Sequence, residues 1–329
     1  MKSAILPVFA MLLVLLTSGC ISAGEAIPIV AGSGVGFTQF YPVAPEVYEG
    51  NDINLYMQIQ NNGYFTAKDV NFQMYSCGAL RNFTYKNINE EKACNDIMEF
   101  DLALDPPDRE LGIAGEMAEA ELAFHTTNLN FPAGRSVHTI YTRLEYGYEA
   151  VATRDIVLTS FDNWREKNGV LDMGALTAYT SPGPITLSIK APNAPIVISD
   201  SSNEQEFTIA LSIANTGGGN LVPQKVLKSI DFCYDPEFLS VADPKDFKSF
   251  EVRDKGNKKC FYVDDDEFNN EDLRTLTGLQ QQWEEYEIQF KTNTESLYVQ
   301  NLIQDITTFD ATVTYRYAAD ASTQITIVS

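Results

Sequence analysis

Glu119 and Glu121, and their counterparts Glu285 and Glu287, stand at i and i+2 in alternating apolar and polar segments. On a strand this spacing sets Cα atoms about 6.5–7 Å apart, a separation that suits the acid and base of an inverting glycoside hydrolase. That chemistry needs an apolar setting to keep one carboxyl protonated. Here Ala120, Leu122 and Phe124 form the apolar face, so both glutamates are expected on the solvated side. Asp264, Asp265, Asp266 and Glu267, with Glu271 and Asp272 close behind, form the densest acidic cluster. Carboxylate oxygens in such a loop suit Ca²⁺, but the register of a defined calcium loop is missing. Weak calcium binding is therefore the sole cofactor expectation, set against a solvated loop. The two histidines, His125 and His138, have no Ser or Cys nucleophile in a G-x-S-x-G setting to serve. Gly32, Gly34 and Gly36 space as G-x-G-x-G, which is not a phosphate-cradling loop. No catalytic set emerges, and a non-enzymatic protein is expected.

The chain of 329 residues is 44% hydrophobic, which is enough for large β cores. Lys and Arg total 23 against 45 Asp and Glu, a formal charge of −22. Nucleic acids and anionic lipid headgroups need basic surface, so neither is an expected partner. Lys2 precedes an apolar run from Ala4 to Leu16. That run is too short to span a bilayer as a helix and reads as an export signal. Its ending, Ser18-Gly19-Cys20, resembles the lipobox at which prokaryotic lipoproteins are cut and lipidated on the new N-terminal cysteine. Residues 1–19 are thus expected to be a signal peptide and Cys20 a lipidation site holding the protein at the outer face of the cytoplasmic membrane. Residues 20–36, rich in Ala and Gly, read as a tether.

The elements that must position these side chains are strands. Ile53, Leu55, Met57 and Ile59 alternate with polar residues up to the turn Asn61-Asn62-Gly63, and Phe207, Ile209, Leu211 and Ile213 do so up to Asn215-Thr216-Gly217. Glu119–Thr126 lies over Glu285–Thr292 with four identities in eight positions. Leu144–Ser160 lies over Val313–Ser329 at an offset of 169, with Tyr146/Tyr315 and Tyr148/Tyr317 among the identities. Two homologous all-β domains follow, each of immunoglobulin-like sandwich size: residues 37–160 and 185–329, joined by a linker over 161–184 around Ser181-Pro-Gly-Pro184. Residues 162–168 read as a short helix or edge turn, and residues 271–283 as the best helical candidate. The four tyrosines are expected to pack between sheets, with sugar stacking the weaker reading.

Four cysteines remain beyond Cys20 and allow three pairings. The duplication selects Cys77–Cys94 and Cys233–Cys260, one bridge per repeat, as an exported chain permits. Paired C-x₂₋₄-C spacings for a metal are absent. Asn82-Phe83-Thr84 is the one glycosylation sequon, with Asn82 as acceptor.

Asp52–Gly63, continuing to Val70, resembles the start of a CARDB-type domain, and Phe207–Gly217 is similar. That resemblance implies immunoglobulin-like sandwiches of archaeal and bacterial surfaces with adhesion, scaffold or filament roles and no catalytic residues. The whole resembles an archaeal surface lipoprotein. The expected partners are the membrane, through the lipidated N-terminus, and an extracellular protein or glycan. The alternatives are a filament or envelope subunit, self-associating by strand exchange with the segment before Phe37 or Gln324–Ser329 as donor, and a carbohydrate-binding or hydrolase-accessory protein.

Overall fold

A computed structural model describes residues 34–77, 82–85, 91–93, 97–99, 102–124, 134–171, 176–192, 195–198, 205–222, 227–264, 283–293 and 302–328. The first half contains β1 (Val35–Pro42), β2 (Glu46–Tyr48), β3 (Ile53–Asn61), β4 (Lys68–Ser76) and β5 (Asn82–Tyr85). It continues with β6 (Glu91–Ala93), β7 (Ile97–Glu99), β8 (Met117–Phe124) and the long β9 (Arg135–Ser160). Helix α1 (Phe161–Glu166) follows, opened by the Ser160 hydroxyl accepting from the Asn163 amide. The second half contains β10 (Ala178–Thr180), β11 (Ile185–Lys190), β12 (Ile196–Ile198), β13 (Glu206–Asn215), β14 (Asn220–Leu221) and β15 (Leu227–Tyr234). It ends with β16 (Leu239–Asp243), β17 (Glu251–Lys255), β18 (Lys258–Asp264), β19 (Trp283–Thr292) and the long β20 (Gln304–Val328).

The protein is all-β, with its sheets packed as sandwiches. One outer sheet runs β1-β3-β8-β5-β6 and the other β11-β13-β19-β16, each from one repeat. The third sheet is common to both repeats and runs β17-β18-β15-β20-β9-β4-β7. Alternation explains the layers: Ile53, Leu55, Met57 and Ile59 on β3 and Ile209, Leu211 and Ile213 on β13 are buried against the shared sheet. The helical candidate over 271–283 lies outside the described residues apart from Trp283, which begins β19.

The shared sheet gives the two units one frame. β9 and β20 pair antiparallel without a break from Gln304↔Thr159 to Val328↔Arg135. Matched residues of the repeats lie 169 apart, so Gly147↔Arg316 is the single pair whose members are also each other's counterparts. That pair marks a pseudo-two-fold axis through the sheet. The symmetry extends to an exchange of short strands. β2 of the first repeat pairs parallel with the end of β20, at Glu46↔Thr326, and β12 of the second pairs parallel with the end of β9, at Ile196↔Leu158. The segments expected as strand donors are paired within the chain: Gln324–Val328 pairs with β9, its Thr326–Val328 also with β2, and Val35 and Gly36 belong to the β1–β3 ladder.

Around the axis Tyr146, Tyr148, Tyr315 and Tyr317 are buried on one face of the shared sheet. Their rings form a closed set, with centroids 5.8 Å apart for Tyr146–Tyr148, 6.0 Å for Tyr146–Tyr317, 6.1 Å for Tyr148–Tyr315 and 6.4 Å for Tyr315–Tyr317. Sheet packing is thus their role. The hydroxyls reach the turns of the outer sheets. Tyr148 Oη accepts from the amides of Tyr64 at 2.6 Å and Phe65 at 3.0 Å. Its counterpart Tyr317 Oη accepts from Gly219 N at 2.8 Å and donates to Asn215 Oδ1 at 3.0 Å. Asn61 and Asn215, which open the Asn-x-Gly turns, each accept from the glycine amide two residues on. The glycines leave room for the phenols: a Cβ at Gly63 would lie 1.7 Å from Tyr148 Oη, and one at Gly217 would lie 2.3 Å from Tyr317 Oη.

Two outcomes test this frame. Gly63→Ala and Gly217→Ala are each expected to lower stability by about 1–3 kcal/mol through overpacking, whereas Gly218→Ala, with open space at its Cβ, should stay within about 0.5 kcal/mol; urea unfolding reads the difference. Burial pushes the Tyr317 hydroxyl up from 10.0 to about 12, against the opposing hydrogen bonds from Gly219 and with Asn215. A raised acid pKa means that the neutral form is favoured in the fold. The associated stability is complete below the unfolded value of 10.0 and is lost as pH rises towards about 12. Buried-tyrosine phenolate absorbance and loss of β circular dichroism should therefore appear together in that window.

Candidate functional site

Beside the tyrosine set the axis passes through Gly147, a glycine with no side chain to fill the space next to it. An open groove of about 450 Å³ lies here. The first repeat contributes Tyr64, Phe65, Thr66, Lys68, Asp69, Pro106, Gly147, Tyr148 and Glu149, and the second Lys228, Thr314 and Tyr315, so the groove reaches the edge of the tyrosine set. Strand order explains the gathering, because Lys68 on β4 pairs with Gly147, which pairs with Arg316 on β20, the neighbour of β15. Two register shifts aim charge into it. One falls between Lys68 and Asn71 and carries Asp69, whose φ is 50°; the other falls between Leu227 and Ser229 and carries Lys228. Bulges re-aim side chains in this manner beside functional sites.

The charges of the groove are loosely matched. Lys228 Nζ stands 4.0 Å from Asp69 Oδ2, and Arg316 Nη2 is 3.5 Å from the Asp69 carbonyl oxygen. Lys68 is exposed and has no ion-pair partner among the described residues. At one end Arg109 lies over the Tyr64 ring at 4.5 Å from its centroid, while Tyr64 keeps 38% of its surface exposed. The arrangement offers cations, hydroxyls and an aromatic face in an open trough.

The sequence-derived candidates lie elsewhere. Glu119 is exposed and accepts from Gln58 Nε2 at 2.7 Å. Glu287 accepts from Lys245 Nζ at 2.7 Å, and the Lys190 ammonium beside Glu285 holds that carboxyl below its ordinary value. An ionised, lysine-paired carboxylate is the opposite of a general acid. His138 lies 3.0 Å from the Ser136 hydroxyl, and His125 falls outside the described residues. Asp264 pairs with Ser229 in the β18–β15 ladder, while Asp265, Asp266 and Glu267 lie outside the described residues. Asn82 opens β5 and pairs with Ala93.

Cys233 and Cys260 form a disulfide between directly opposed residues of β15 and β18, with Cα atoms 4.0 Å apart. Their sulfurs and the Asp231 carboxylate lie within 4.8 Å of one another, but a disulfide leaves no thiolate to ligate a metal. Cys77 is buried and also disulfide-bonded, while Cys94 and Cys20 lie outside the described residues. The groove residues escaped the sequence reading because four strands supply them. Its one local sign is Gly147, an isolated glycine inside a strand pattern.

No family model matches the chain, and no curated protein matches its sequence. Among solved structures, the Enterococcus faecalis MSCRAMM ACE is similar at 9% identity, covering 91% of this chain and 96% of that one, with a TM-score of 0.13. The collagen adhesin CNA from S. aureus is similar at 8% identity, covering 92% of this chain and 95% of that one, with a TM-score of 0.14. Likeness at that level carries no weight for function, and the fold rests on the sheets themselves.

The Cys233–Cys260 bridge closes a loop of 27 residues. The double substitution Cys233→Ala/Cys260→Ala is expected to cost about 3 kcal/mol, chiefly by freeing the unfolded chain. Urea unfolding measures the loss, and non-reducing peptide mapping of the purified protein should recover the linked pair.

Proposed function

We propose that this chain is a non-enzymatic binding module displayed outside the cell, exported by residues 1–19 and held at the membrane by lipid on Cys20. The observation that carries the reading is the frame: two repeats joined through an uninterrupted β9–β20 ladder, with one groove built by both. A shared sheet leaves no hinge for a closing domain motion of the kind many enzymes use. It presents a fixed surface, which lowers the ordering cost of binding a partner. The cross-strand disulfide accords with an oxidising compartment. Among the described residues no helix is long and apolar enough to cross a membrane, and the lipid on Cys20 supplies the attachment in this reading. Strand exchange between copies is disfavoured because the C-terminal donor is already paired on both sides.

Two acyl chains hold a protein stably at a bilayer, at about 0.8 kcal/mol per buried CH₂. Cys20→Ser is therefore expected to move the protein from the membrane pellet into the soluble fraction after cell disruption. Unchanged partitioning would remove the anchor from the proposal. The purified mature chain, immobilised, should retain a component of native envelope and turn over no glycan or peptide substrate.

A further inference from the structure

Resting on the reading of the chain as a binding module, we propose that the groove over Gly147 takes an acidic saccharide, with a sugar carboxylate seated between Lys68 and Lys228. The charge pattern is the first support. On a molecule of net charge −22, Lys68 and Lys228 line the groove from one strand of each repeat, and among the described residues the nearest carboxylate to Lys228 stands back at 4.0 Å. Cations left so loosely paired are available to an incoming anion. Asp69 and Glu149 border the same space and provide acceptors for hydroxyl groups, as a sugar ring requires. The strongly acidic remainder of the surface repels long polyanions, which selects a ligand with spaced carboxylates.

The walls favour a sugar over a peptide. Thr66 and Thr314 supply hydroxyls, and the half-exposed Tyr64 ring, braced by Arg109, supplies a surface for the CH face of a pyranose. An extended peptide would need an unpaired strand edge or a deep apolar pocket for an anchor residue. Gly147 is paired on both sides, with Lys68 and with Arg316, and the groove is open. The site needs both repeats, because Lys68 and Lys228 come from different ones and neither is the other's counterpart in the duplication. The symmetry of the frame is broken here, so this pair of lysines has no symmetric copy across the axis.

The test is calorimetric titration of the intact mature protein with a tetrasaccharide alternating glucuronate and N-acetylglucosamine, against neutral chitotetraose and a blocked tetraglutamate peptide. The acidic sugar should bind, the other two at least about tenfold more weakly, and its affinity should fall as salt rises towards about 0.5 M. Lys68→Gln/Lys228→Gln and Tyr64→Ala should each weaken binding by about tenfold or more. Lys255→Gln, which removes an exposed cation paired with Asp231, should leave it unchanged, and circular dichroism confirms that each variant is folded. Equal affinity for acidic and neutral sugars, preference for the peptide, or indifference to the double lysine substitution overturns the proposal. Retention of a native envelope component that survives the double substitution overturns the groove alone and leaves the module reading standing; loss of all retention by the wild-type chain overturns both.

Discussion

Four phenols packed at the crossing of two long strands are the constraint on which the other layers depend. Burying a hydroxyl without a partner costs about 1–3 kcal/mol on the scale of protein substitutions, so a ring is favoured where its oxygen reaches a partner, as three of the four do. Tyr148 finds the amides of Tyr64 and Phe65, and Tyr317 finds Gly219 and Asn215. These partners belong to the turns after β3 and β13, so the hydroxyls dictate where each outer sheet ends above the shared one. Tyr146 Oη meets the backbone of Val35 at the start of β1. Tyr315 Oη, near the Ile185 amide, lacks a partner of ordinary hydrogen-bond geometry. The Asn-x-Gly turns follow from the same need: asparagine folds the turn onto itself and glycine leaves space for the phenol.

The pairing of β9 with β20 turns a duplication into one body. Had the repeats been strung along a linker, each would have needed to protect its own last strand. Here each long strand covers the edge of the other, and β2 and β12 cross over to cover the far ends. A strict two-fold would place the same residue type on both sides of the axis. Gly147 and Arg316 break it at its centre, and the bulges holding Asp69 and Lys228 break it further. The groove exists because the two copies have diverged at the place where they touch.

The strands, their buried faces and the duplication are legible in the sequence because alternation is local and the matched segments keep their order. The turns at Asn61-Asn62-Gly63 and Asn215-Thr216-Gly217 are legible for the same reason, and so is the short helix after Ser160. The matching of Leu144–Ser160 with Val313–Ser329 reveals two equivalent strands, yet equivalence does not say that they pair with each other. That is a contact across more than 140 residues, set by the buried tyrosines and their hydroxyl partners. The groove is illegible for a related reason: Lys68, Glu149, Lys228 and Arg316 are ordinary surface charges until the strand order brings them together. Of the catalytic-looking spacings, the paired glutamates come to nothing because the i and i+2 rule that sets them side by side also turns them outward.

The remaining edges show how a β protein of this kind limits pairing with another chain. A strand with unpaired amides and carbonyls is an invitation to pair with another chain. At one border of the shared sheet, β17 exposes Glu251, Arg253, Asp254 and Lys255, a charged stretch that another strand can join only by desolvating those groups. β7, at the other border, is three residues long. In the outer sheets β1 has a register shift and ends at Pro42, and β16 has a shift between Val241 and Asp243. Each device shortens or spoils a run of matching hydrogen bonds, while the two longest strands are shielded inside the sheet. The acidic surface adds repulsion between copies at long range, reduced by salt.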